Sequence, residues 1–502
     1  MLAGVINYGR LDDYLGPYLV ADLKSGRLTD EEAYRYIHSL WTMIENRRTT
    51  VNGRIIVGGK GRKHPKEADV FLHIAMKVAK NCRYVEPQFT LRFDKETSEE
   101  IWDEALDALG AGATYPTLYN DDVNVPAVMY GMRVDEKAAE QYVPFGCTEF
   151  VIQGQSTGTP NICINLLKLL TIYMNDGIDP IDGKRKSGPV PLKKLEEYQT
   201  FEEFYDGYKA LLDYYLDLSV KAQYHSYEVM NQHVSFLFSS LLTDDCIARG
   251  KALLDGGVRY LGGTNETYGN INTSDSLWVI RDLVFNQKKY TLRQLNDAML
   301  ANFNGYEALR KDCLNCDKYG NDLETADTMA NDLYEFVAKG VRDRGIAIGM
   351  QYFLIVISNN QLNTEWGNRT AASPDGRLSC MYMNPANNPQ GGANKSGPTA
   401  MLNSLAKFDA KYHGGSVQNI KFSPSMFNEN RAVIKSLFKT YFAKGGCHLM
   451  VTVVDKGVLE DAVEHPENYP DLIVRVSGFS AVFVDLSPNI QQELLSRVLY
   501  DK

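Results

Sequence analysis

The sequence predicts a large α/β protein, and two patterns carry this prediction. Helical and strand patterns alternate along the chain, since a strand pattern at 88–93 lies between helical patterns at 72–79 and 98–109. Two apolar runs, 353–357 and 449–454, have the uninterrupted hydrophobicity of strands that are buried on both faces. Alternation of this kind favours helices packed around a mainly parallel sheet.

The first element that the sequence predicts is a helix at 30–46. Thr29 and Glu32 have the spacing of a capping box, in which each side chain satisfies a free backbone N–H at the helix start. Residues 51–64 are basic and rich in glycine, but they lack the Gly-Lys-Ser/Thr ending of a phosphate-binding loop. We therefore predict a solvated turn there. Longer helical patterns follow at 193–260 and 290–345.

Composition and charge narrow the class of function. The chain has 502 residues, of which 44% are hydrophobic and 23% charged, so it has ample material for a core. Its formal net charge of -10 disfavours binding to nucleic acid or to an anionic membrane. The N-terminus lacks a secretion signal, no apolar run has the length of a membrane helix, and the 8 cysteines are scattered. These features predict a soluble, cytoplasmic protein that acts on a small molecule.

Gly478 lies in the segment Arg-Val-Ser-Gly-Phe-Ser-Ala at 475–481. The ordinary interpretation is a turn glycine, chosen for a positive φ or for close backbone approach. The functional interpretation is a backbone radical, which the adjacent nitrogen and carbonyl stabilise together. Glycine suits a radical best, because no side chain prevents its α carbon from becoming planar.

Cys147 lies in the segment Gly-Cys-Thr-Glu at 146–149. An isolated cysteine is usually a small buried hydrophobe. Its S–H bond, however, matches an activated C–H bond in strength, so a thiyl radical can take a hydrogen atom from a substrate and later return it. Glu149 follows two residues later, and in an extended loop its side chain points to the same side as that of Cys147. It is a candidate general base or acid.

Both segments resemble known motifs. The segment around Gly478 resembles the glycyl radical signature, with Phe479 where that family usually has tyrosine. The Gly-Cys-x-Glu segment resembles the active-site loop of the dehydratase and decarboxylase branch of the same family. On these motifs the chain is identified as a member of the glycyl radical enzymes, the pyruvate formate-lyase-like superfamily. Further segments resemble the family at 116–122, 177–183, 373–377 and 394–400.

The resemblance implies a fold. It is a ten-stranded α/β barrel, built from two five-stranded parallel halves in antiparallel relation and surrounded by helices, in which hairpin loops bring Gly478 and Cys147 to a buried centre. We expect a partial barrel domain at 1–375 and a C-terminal glycine radical domain at 376–502. Family members are usually longer at the N-terminus. A truncated gene model is the first explanation, and a split enzyme or a shortened barrel are the alternatives.

The resemblance also implies a lyase reaction. In a dehydratase, the Cys147 thiyl takes hydrogen from a carbon that bears a hydroxyl, Glu149 removes the hydroxyl proton, and the neighbouring group leaves. An arylacetate decarboxylase is the alternative, with Arg92 or Arg54 holding the substrate carboxylate. Acyl transfer is disfavoured, because Gly146 and Thr148 flank the cysteine where a second cysteine is needed. An inactive or accessory fragment is the non-enzymatic alternative.

Substrate-binding candidates are Arg92, Thr159 and Asn161, although an arginine of this kind is more often a structural ion-pair partner, and an asparagine can cap a helix. No permanent cofactor or metal is expected. The resemblance implies a glycyl radical on Gly478, installed by a radical S-adenosylmethionine activase with an iron–sulfur cluster, and a homodimer. Cys313 and Cys316 form a lone CxxC pair, which is interpreted as two ordinary thiols.

Overall fold

A computed structural model describes residues 4–47, 50–158, 161–357 and 361–501. The chain forms two compact units. Unit 1 consists of Met1–Gly158 and Asp409–Lys502, and unit 2 is the continuous segment Thr159–Phe408. Both ends of the sequence therefore contribute to unit 1, which contains Gly478 and Cys147.

Fourteen strands are present in the described residues. They are β1 (Gly4–Arg10), β2 (Thr50–Gly58), β3 (Gln88–Phe93), β4 (Thr117–Asn120), β5 (Tyr142–Phe145), β6 (Glu149–Ile152), β7 (Ile162–Asn165), β8 (Gly262–Tyr268), β9 (Tyr352–Ile357), β10 (His413–Ser416), β11 (Asn419–Phe422), β12 (His448–Val453), β13 (Ile473–Arg475) and β14 (Ser480–Val482).

The α-helices of the described residues vary widely in length. They are α1 (Leu11–Lys24), α2 (Asp30–Arg47), α3 (Pro65–Asn81), α4 (Glu99–Gly110), α5 (Asp121–Met132), α6 (Glu136–Ala139), α7 (Leu166–Met174), α8 (Phe201–His233), α9 (Leu237–Leu241), α10 (Cys246–Arg249), α11 (Asn270–Val279), α12 (Leu292–Leu300), α13 (Glu307–Asn315), α14 (Glu324–Ala347), α15 (Leu362–Gly367), α16 (Gly397–Ala406), α17 (Pro424–Glu429), α18 (Arg431–Ala443), α19 (Lys456–Glu464) and α20 (Pro488–Ser496).

The main sheet of unit 1 has six strands in the order β1-β2-β3-β4-β12-β11. The first four are parallel, and so are the last two. The two groups meet at β4 and β12, which pair antiparallel with His448 opposite Tyr119. The α/β class is therefore confirmed, and the junction has the relation expected between two parallel halves. Closure into a ten-stranded barrel stays a prediction.

The centre of this sheet is buried on both faces. Ile55, Ile56 and Val57 of β2 are inaccessible to solvent, as are the apolar side chains of the neighbouring strand β3. Helix α3 packs its apolar face beside them, since Phe71 and Leu72 are also fully buried. Burial of this kind is the main stabilising contribution to such a core, at about 25 cal/mol for each Å² of apolar surface removed from water.

The local predictions at 88–93 and 29–32 hold, whereas the one at 51–64 is wrong. The strand at 88–93 is β3, and the predicted capping box forms, because the Glu32 N–H donates to Thr29 Oγ1 at 3.3 Å and the Thr29 N–H donates to Glu32 Oε2 at 2.9 Å. The solvated turn predicted at 51–64 is instead largely strand β2. Its charged residue Arg54 is fully buried, because carbonyl groups of another loop surround its guanidinium group.

Two short hairpins of unit 1 carry the segments around Cys147 and Gly478. We call β5, β6 and the turn between them the cysteine hairpin, in which Phe145 pairs with Glu149. The glycine hairpin consists of β13, β14 and their connecting loop, in which Arg475 pairs with Ser480. Each hairpin therefore presents its candidate radical residue, Cys147 or Gly478, at its tip.

Unit 2 has a three-stranded parallel arrangement in which β8 lies between β7 and β9. Its longest helices are α8 with 33 residues and α14 with 24. Thr200 caps the start of α8, because its side chain accepts from the Glu203 N–H. No helix in the described part of either unit is both long and apolar enough to cross a bilayer.

Candidate active site

Gly478 lies in the four-residue loop of the glycine hairpin. The Val476 and Ser477 N–H groups both donate to the Phe479 carbonyl oxygen, at 3.1 and 3.2 Å, and these bonds close the loop. Val476, Ser477 and Gly478 are buried, whereas Phe479 is partly buried against the apolar cluster around β13 and α20. The loop is therefore held away from solvent, as a carbon radical requires.

Close packing, rather than a special backbone angle, explains the glycine at position 478. Its φ lies outside the left-handed region, so the turn interpretation does not require glycine there. A Cβ atom added to Gly478 would lie 2.6 Å from Cys147 Sγ, and closer still to Cys147 Cα and Cβ. No side chain fits between the two hairpins. The α carbon of Gly478 and the Cys147 thiol are thus in direct contact.

Cys147 is the middle residue of the three-residue turn of the cysteine hairpin. Gly146 before it has a φ of 55°, which is the left-handed region that favours glycine. The cysteine is 5% exposed. A tight turn with a glycine start therefore aims a buried thiol at the glycine hairpin.

Glu149 begins strand β6, and its carboxylate folds back over the turn. Its Oε2 accepts from the Thr148 N–H at 2.9 Å. A Cβ added to Gly146 would lie 2.8 Å from the same oxygen. The turn is tighter than the extended loop expected from sequence, but the buried carboxylate still lies against both residues that flank Cys147.

Arg54 of β2 holds the turn of the cysteine hairpin through hydrogen bonds. Its Nη2 donates to the carbonyl oxygens of Gly146 at 2.9 Å and Cys147 at 2.7 Å, and its Nε donates to Gly146 at 3.2 Å. Its Nη1 donates to Thr90 Oγ1 at 3.0 Å. These contacts occupy the guanidinium group with backbone oxygens, so they favour a structural role for Arg54 over binding of a substrate carboxylate.

Arg475 performs a comparable task in the glycine hairpin. Its Nη1 donates to Ser480 Oγ at 3.3 Å, across the base of the loop. Its Nη2 donates to Gln88 Oε1 of strand β3 at 3.2 Å. Ser480 Oγ also lies 3.0 Å from Thr114 Oγ1. The loop that carries Gly478 is therefore tied to strand β3 through Arg475 and to the segment before β4 through Ser480.

Two neutral groups lie at the junction of the parallel strand groups. The rings of Tyr119 and His448 have centroids 4.5 Å apart. Burial lowers the pKa of His448 well below 6.5, and the positive charges of Arg54 and Arg475 act in the same direction. Burial also raises the pKa of Tyr119 to about 12. Both side chains are therefore uncharged near neutral pH.

The Arg92 side chain forms its hydrogen bonds with residues of unit 1. Its Nε and Nη2 donate to the two carboxylate oxygens of Asp121 at 2.9 and 2.8 Å, and its Nη1 donates to the Tyr142 carbonyl at 2.7 Å. The guanidinium group and Asp121 are both inaccessible to solvent. This bidentate pair favours the structural alternative for Arg92, and substrate binding by it stays a prediction.

The other two substrate-binding candidates belong to unit 2. Thr159 lies outside the described residues. Asn161 donates from Nδ2 to Glu266 Oε1 at 2.9 Å, and its Oδ1 accepts from Thr264 Oγ1 at 2.5 Å. These contacts orient the amide without assigning it a ligand, so its substrate-binding role also stays a prediction.

Cys313, Cys316 and the group of metal-ligand side chains in the described residues do not define a second site. Burial raises the pKa of Cys313 to about 12 and that of Cys316 to about 11, which disfavours thiolate formation at the CxxC pair. Within the described ranges, His73, Glu100 and Glu104 form one group with metal-ligand spacing. None of the three is buried, and exposed groups of this kind are common without an ion.

Arg54 and Arg92 were expected to hold a substrate carboxylate, and the part that polar side chains of β2 and β3 play in holding the hairpins was not predicted. Gln88, Thr90 and Arg92 alternate along β3 and therefore share one face of the sheet. That polar face was a usable signal, because buried polar residues at every second position require partners. Arg54 carried a similar signal, since three apolar residues follow it in the strand. The identity of their partners is set by chain segments far away in sequence.

Matches to family models agree with this geometry. Residues 3–362 match the model described as pyruvate formate lyase-like, and residues 383–484 match the model described as glycine radical. The chain therefore belongs to the pyruvate formate lyase-like family of glycyl radical proteins. The second match includes Gly478, and the first includes Cys147 and Glu149.

Characterised relatives include several dehydratases. The chain is 29% identical to trans-4-hydroxy-L-proline dehydratase of Clostridioides difficile, over 97% of this chain and 64% of the relative. It is 28% identical to (2S)-3-sulfopropanediol dehydratase of Klebsiella oxytoca, over 98% and 62% of the two chains. Its structure is similar to that of the glycerol-bound B12-independent glycerol dehydratase from Clostridium butyricum, with a TM-score of 0.90, 28% identity and coverage of 99% and 64%. The chain thus spans less than two thirds of the length of these relatives.

Proposed function

We propose that this chain is the catalytic part of a glycyl radical lyase that eliminates water or another leaving group from a small hydroxylated substrate. The observation that carries this proposal is the buried contact of Gly478 with Cys147, beside the Glu149 carboxylate. These three residues supply a radical store, a hydrogen-atom relay and a proton acceptor. The similarity to dehydratases supports the same reaction class.

The first step is a hydrogen-atom transfer between the hairpins. The radical at the Gly478 α carbon takes the hydrogen of the Cys147 thiol, so that an S–H bond breaks, a C–H bond forms and the unpaired electron moves to sulfur. Direct contact between the two groups allows this transfer without a carrier. It also leaves the radical beside Glu149.

The second step acts on the substrate. The thiyl radical takes hydrogen from the carbon that bears the hydroxyl, and Glu149 accepts the hydroxyl proton. The resulting ketyl-type radical expels the group on the adjacent carbon, which leaves with its electron pair and takes up a proton. The product radical then recovers its hydrogen from the Cys147 thiol, so the net products are a carbonyl compound and the protonated leaving group.

Acyl transfer does not fit the cysteine turn. That reaction requires a second thiol beside the radical cysteine, and the neighbours of Cys147 are Gly146 and Thr148. The buried carboxylate of Glu149 lies against the turn instead. Proton transfer by a carboxylate typically contributes a factor of about 10²–10⁴ to a rate. The site therefore favours elimination.

Activation requires a partner. We propose that a radical S-adenosylmethionine activase with an iron–sulfur cluster installs the radical on Gly478, since the glycine radical match implies the radical but not its source. We further propose a homodimer in a reducing, oxygen-poor cytoplasm. This proposal also includes a functional division at residue 375, substrate contacts from Arg92, Thr159 and Asn161, and the absence of a permanent cofactor.

A product assay tests the reaction class. The activated chain is incubated without oxygen with glycerol, propane-1,2-diol, trans-4-hydroxyproline, isethionate or an arylacetate. We expect an aldehyde from glycerol, propane-1,2-diol or isethionate; a pyrroline forms from trans-4-hydroxyproline when the thiyl radical takes hydrogen from the ring carbon next to the hydroxyl-bearing carbon and the hydroxyl leaves as water. Carbon dioxide from the arylacetate would support a decarboxylase instead. A fully radical-loaded chain that converts none of the hydroxylated substrates would contradict the proposed elimination.

A further inference from the structure

Arg54 and Gln88 are register partners on the neighbouring parallel strands β2 and β3. Both side chains are inaccessible to solvent. Arg54 holds the cysteine turn through the carbonyl oxygens of Gly146 and Cys147. Gln88 holds the glycine hairpin, because its Oε1 accepts from Arg475. One pair of positions in the sheet therefore contacts both hairpins.

A hydrogen bond within the sheet also connects Arg54 to the strand that carries Gln88. Thr90 lies two residues after Gln88 on the same face, and its Oγ1 accepts from Arg54 Nη1. Each arginine also lies over a tyrosine ring of the same unit: Arg54 is 5.9 Å from the Tyr119 centroid, and Arg475 is 5.3 Å from the Tyr115 centroid. The guanidinium groups are thereby restrained by a ring as well as by their hydrogen bonds.

We propose that Arg54 and Gln88 are positioning residues that set the separation of the Cys147 thiol from the Gly478 α carbon. This inference rests on the proposed radical function and extends it to the sheet beneath the hairpins. Neither side chain takes part in the hydrogen-atom transfer. Their effect is geometric, because Arg54 binds backbone oxygens at the tip of the cysteine hairpin, whereas Gln88 binds the Arg475 side chain at the base of the glycine hairpin.

Hydrogen-atom transfer depends steeply on this separation. A displacement of about 1 Å at a reacting centre can reduce a rate about 100-fold. The hairpins themselves are short, since β5 and β6 have 4 residues each and β13 and β14 have 3 each. Isolated two-stranded hairpins are marginally stable. Ties to the main sheet are therefore needed to hold the two tips in contact.

Arginine suits its position because its planar group donates to two carbonyl oxygens at once. A lysine has the same charge, but its compact ammonium group lacks the fixed fork geometry. Arg54→Lys therefore keeps the charge and should not reproduce the Gly146 and Cys147 contacts together. At position 88, Gln88→Glu keeps an acceptor for Arg475, whereas Gln88→Met has similar size and removes it. These variants separate geometry from charge and volume.

Deuterium exchange measures the transfer without any substrate. The glycyl radical retains one α hydrogen, whose coupling splits its electron paramagnetic resonance signal into a doublet. In D2O the Cys147 thiol exchanges its proton, and reversible transfer to Gly478 replaces the α hydrogen by deuterium. The doublet then collapses, because the deuteron coupling is much smaller. The collapse rate reports the Gly478–Cys147 transfer directly.

The experiment activates each variant of the chain without oxygen in H2O, transfers it to D2O and follows the collapse of the doublet. We expect radical yields close to that of the unsubstituted chain, with collapse slowed at least ~10-fold in Arg54→Lys and Gln88→Met, and unchanged within about twofold in Gln88→Glu. Arg377→Lys is the matched control. Arg377 is a buried arginine of unit 2 that donates to the Ala371 carbonyl at 2.7 Å and the Met381 carbonyl at 2.9 Å.

Two results would overturn the proposal. Collapse at the unsubstituted rate in both Arg54→Lys and Gln88→Met would show that the ties do not set the separation. Equal slowing in Arg377→Lys would show that loss of any buried arginine contact has the same effect. Failure of the proposed elimination is distinct from both, since it would show as normal collapse of the doublet in the unsubstituted chain with no product from hydroxylated substrates.

Discussion

The Gly478 α carbon is packed directly against Cys147, with room for a hydrogen atom but not for a methyl group. Gly478→Ala should therefore remove the radical and also strain the fold. The added Cβ meets the Cys147 backbone, which cannot rotate away, and overpacking of this kind costs about 1–3 kcal/mol of unfolding free energy. The measurements are the radical signal after activation and the urea midpoint.

Gly457→Ala is the matched control for this substitution. Gly457 has no left-handed φ, and its added Cβ would meet only Asp455 Oδ1, at 3.1 Å. It should keep both the radical signal and the urea midpoint of the unsubstituted chain. A persistent doublet in Gly478→Ala would remove position 478 from the mechanism.

Cys147→Ser separates radical storage from radical transfer. Serine has nearly the same shape, so the activase should still load Gly478. An O–H bond is much stronger than an S–H bond, and the glycyl radical cannot break it. We expect a stable doublet that does not collapse in D2O, together with no product. Collapse at the unsubstituted rate would mean that another group relays the hydrogen.

The secondary structure near the site was largely predictable, and its tertiary partners were not. The alternation of Gln88, Thr90 and Arg92 with apolar residues predicted strand β3, because local periodicity determines which face is buried. The burial of Arg54 was not predicted, since a charge in a glycine-rich stretch normally indicates solvent. It is buried because the Gly146 and Cys147 carbonyls, 92 and 93 residues away in sequence, provide its partners. Such contacts have no local signal.

For the two motifs as well, one part of the site was predictable from sequence and another part was not. The contact of Gly478 with Cys147 followed from resemblance to a family and not from either motif alone. The position of Glu149 was expected from an extended loop, whereas the left-handed Gly146 creates a tight turn. The carboxylate still lies against that turn because its Oε2 accepts from the Thr148 N–H. Chemical type was therefore easier to predict than backbone shape.

Glu149→Gln tests the proton acceptor. The amide oxygen of glutamine can still accept from the Thr148 N–H, so the unfolding free energy should change by less than about 1 kcal/mol. The amide cannot take a proton from a substrate hydroxyl, and turnover should fall by about 10²–10⁴. Radical yield and doublet collapse should stay unchanged. Glu136→Gln, at an exposed residue of α6, is the control and should keep full turnover.

Exposure to air provides a test of the radical position. A carbon-centred backbone radical adds oxygen rapidly, and breakdown of the peroxyl product cleaves the chain at that residue. Activated protein should therefore lose the short segment after Gly478, which mass spectrometry detects. The same protein without activation should remain intact. Cleavage at any other residue would relocate the radical.

The stability of unit 1 should decrease in mild acid because of a buried histidine. Burial lowers the pKa of His413 from 6.5 to about 4, so the unfolded chain binds more protons than the folded chain between these values. The unfolding free energy therefore falls as the pH falls, by about 2 kcal/mol from this group between pH 7 and pH 5. Urea titrations at pH 5, 6 and 7 measure this dependence.

His413→Asn should reduce this pH dependence by the same amount. The Asn Oδ1 can replace His413 Nδ1 as the acceptor for the Gly415 N–H, which is a bond of 3.0 Å, so the fold should persist. His225→Asn is the control, because the His225 side chain is 75% exposed and should leave the pH dependence unchanged. An identical slope in His413→Asn and the unsubstituted chain would show that His413 is not held in its neutral form by burial.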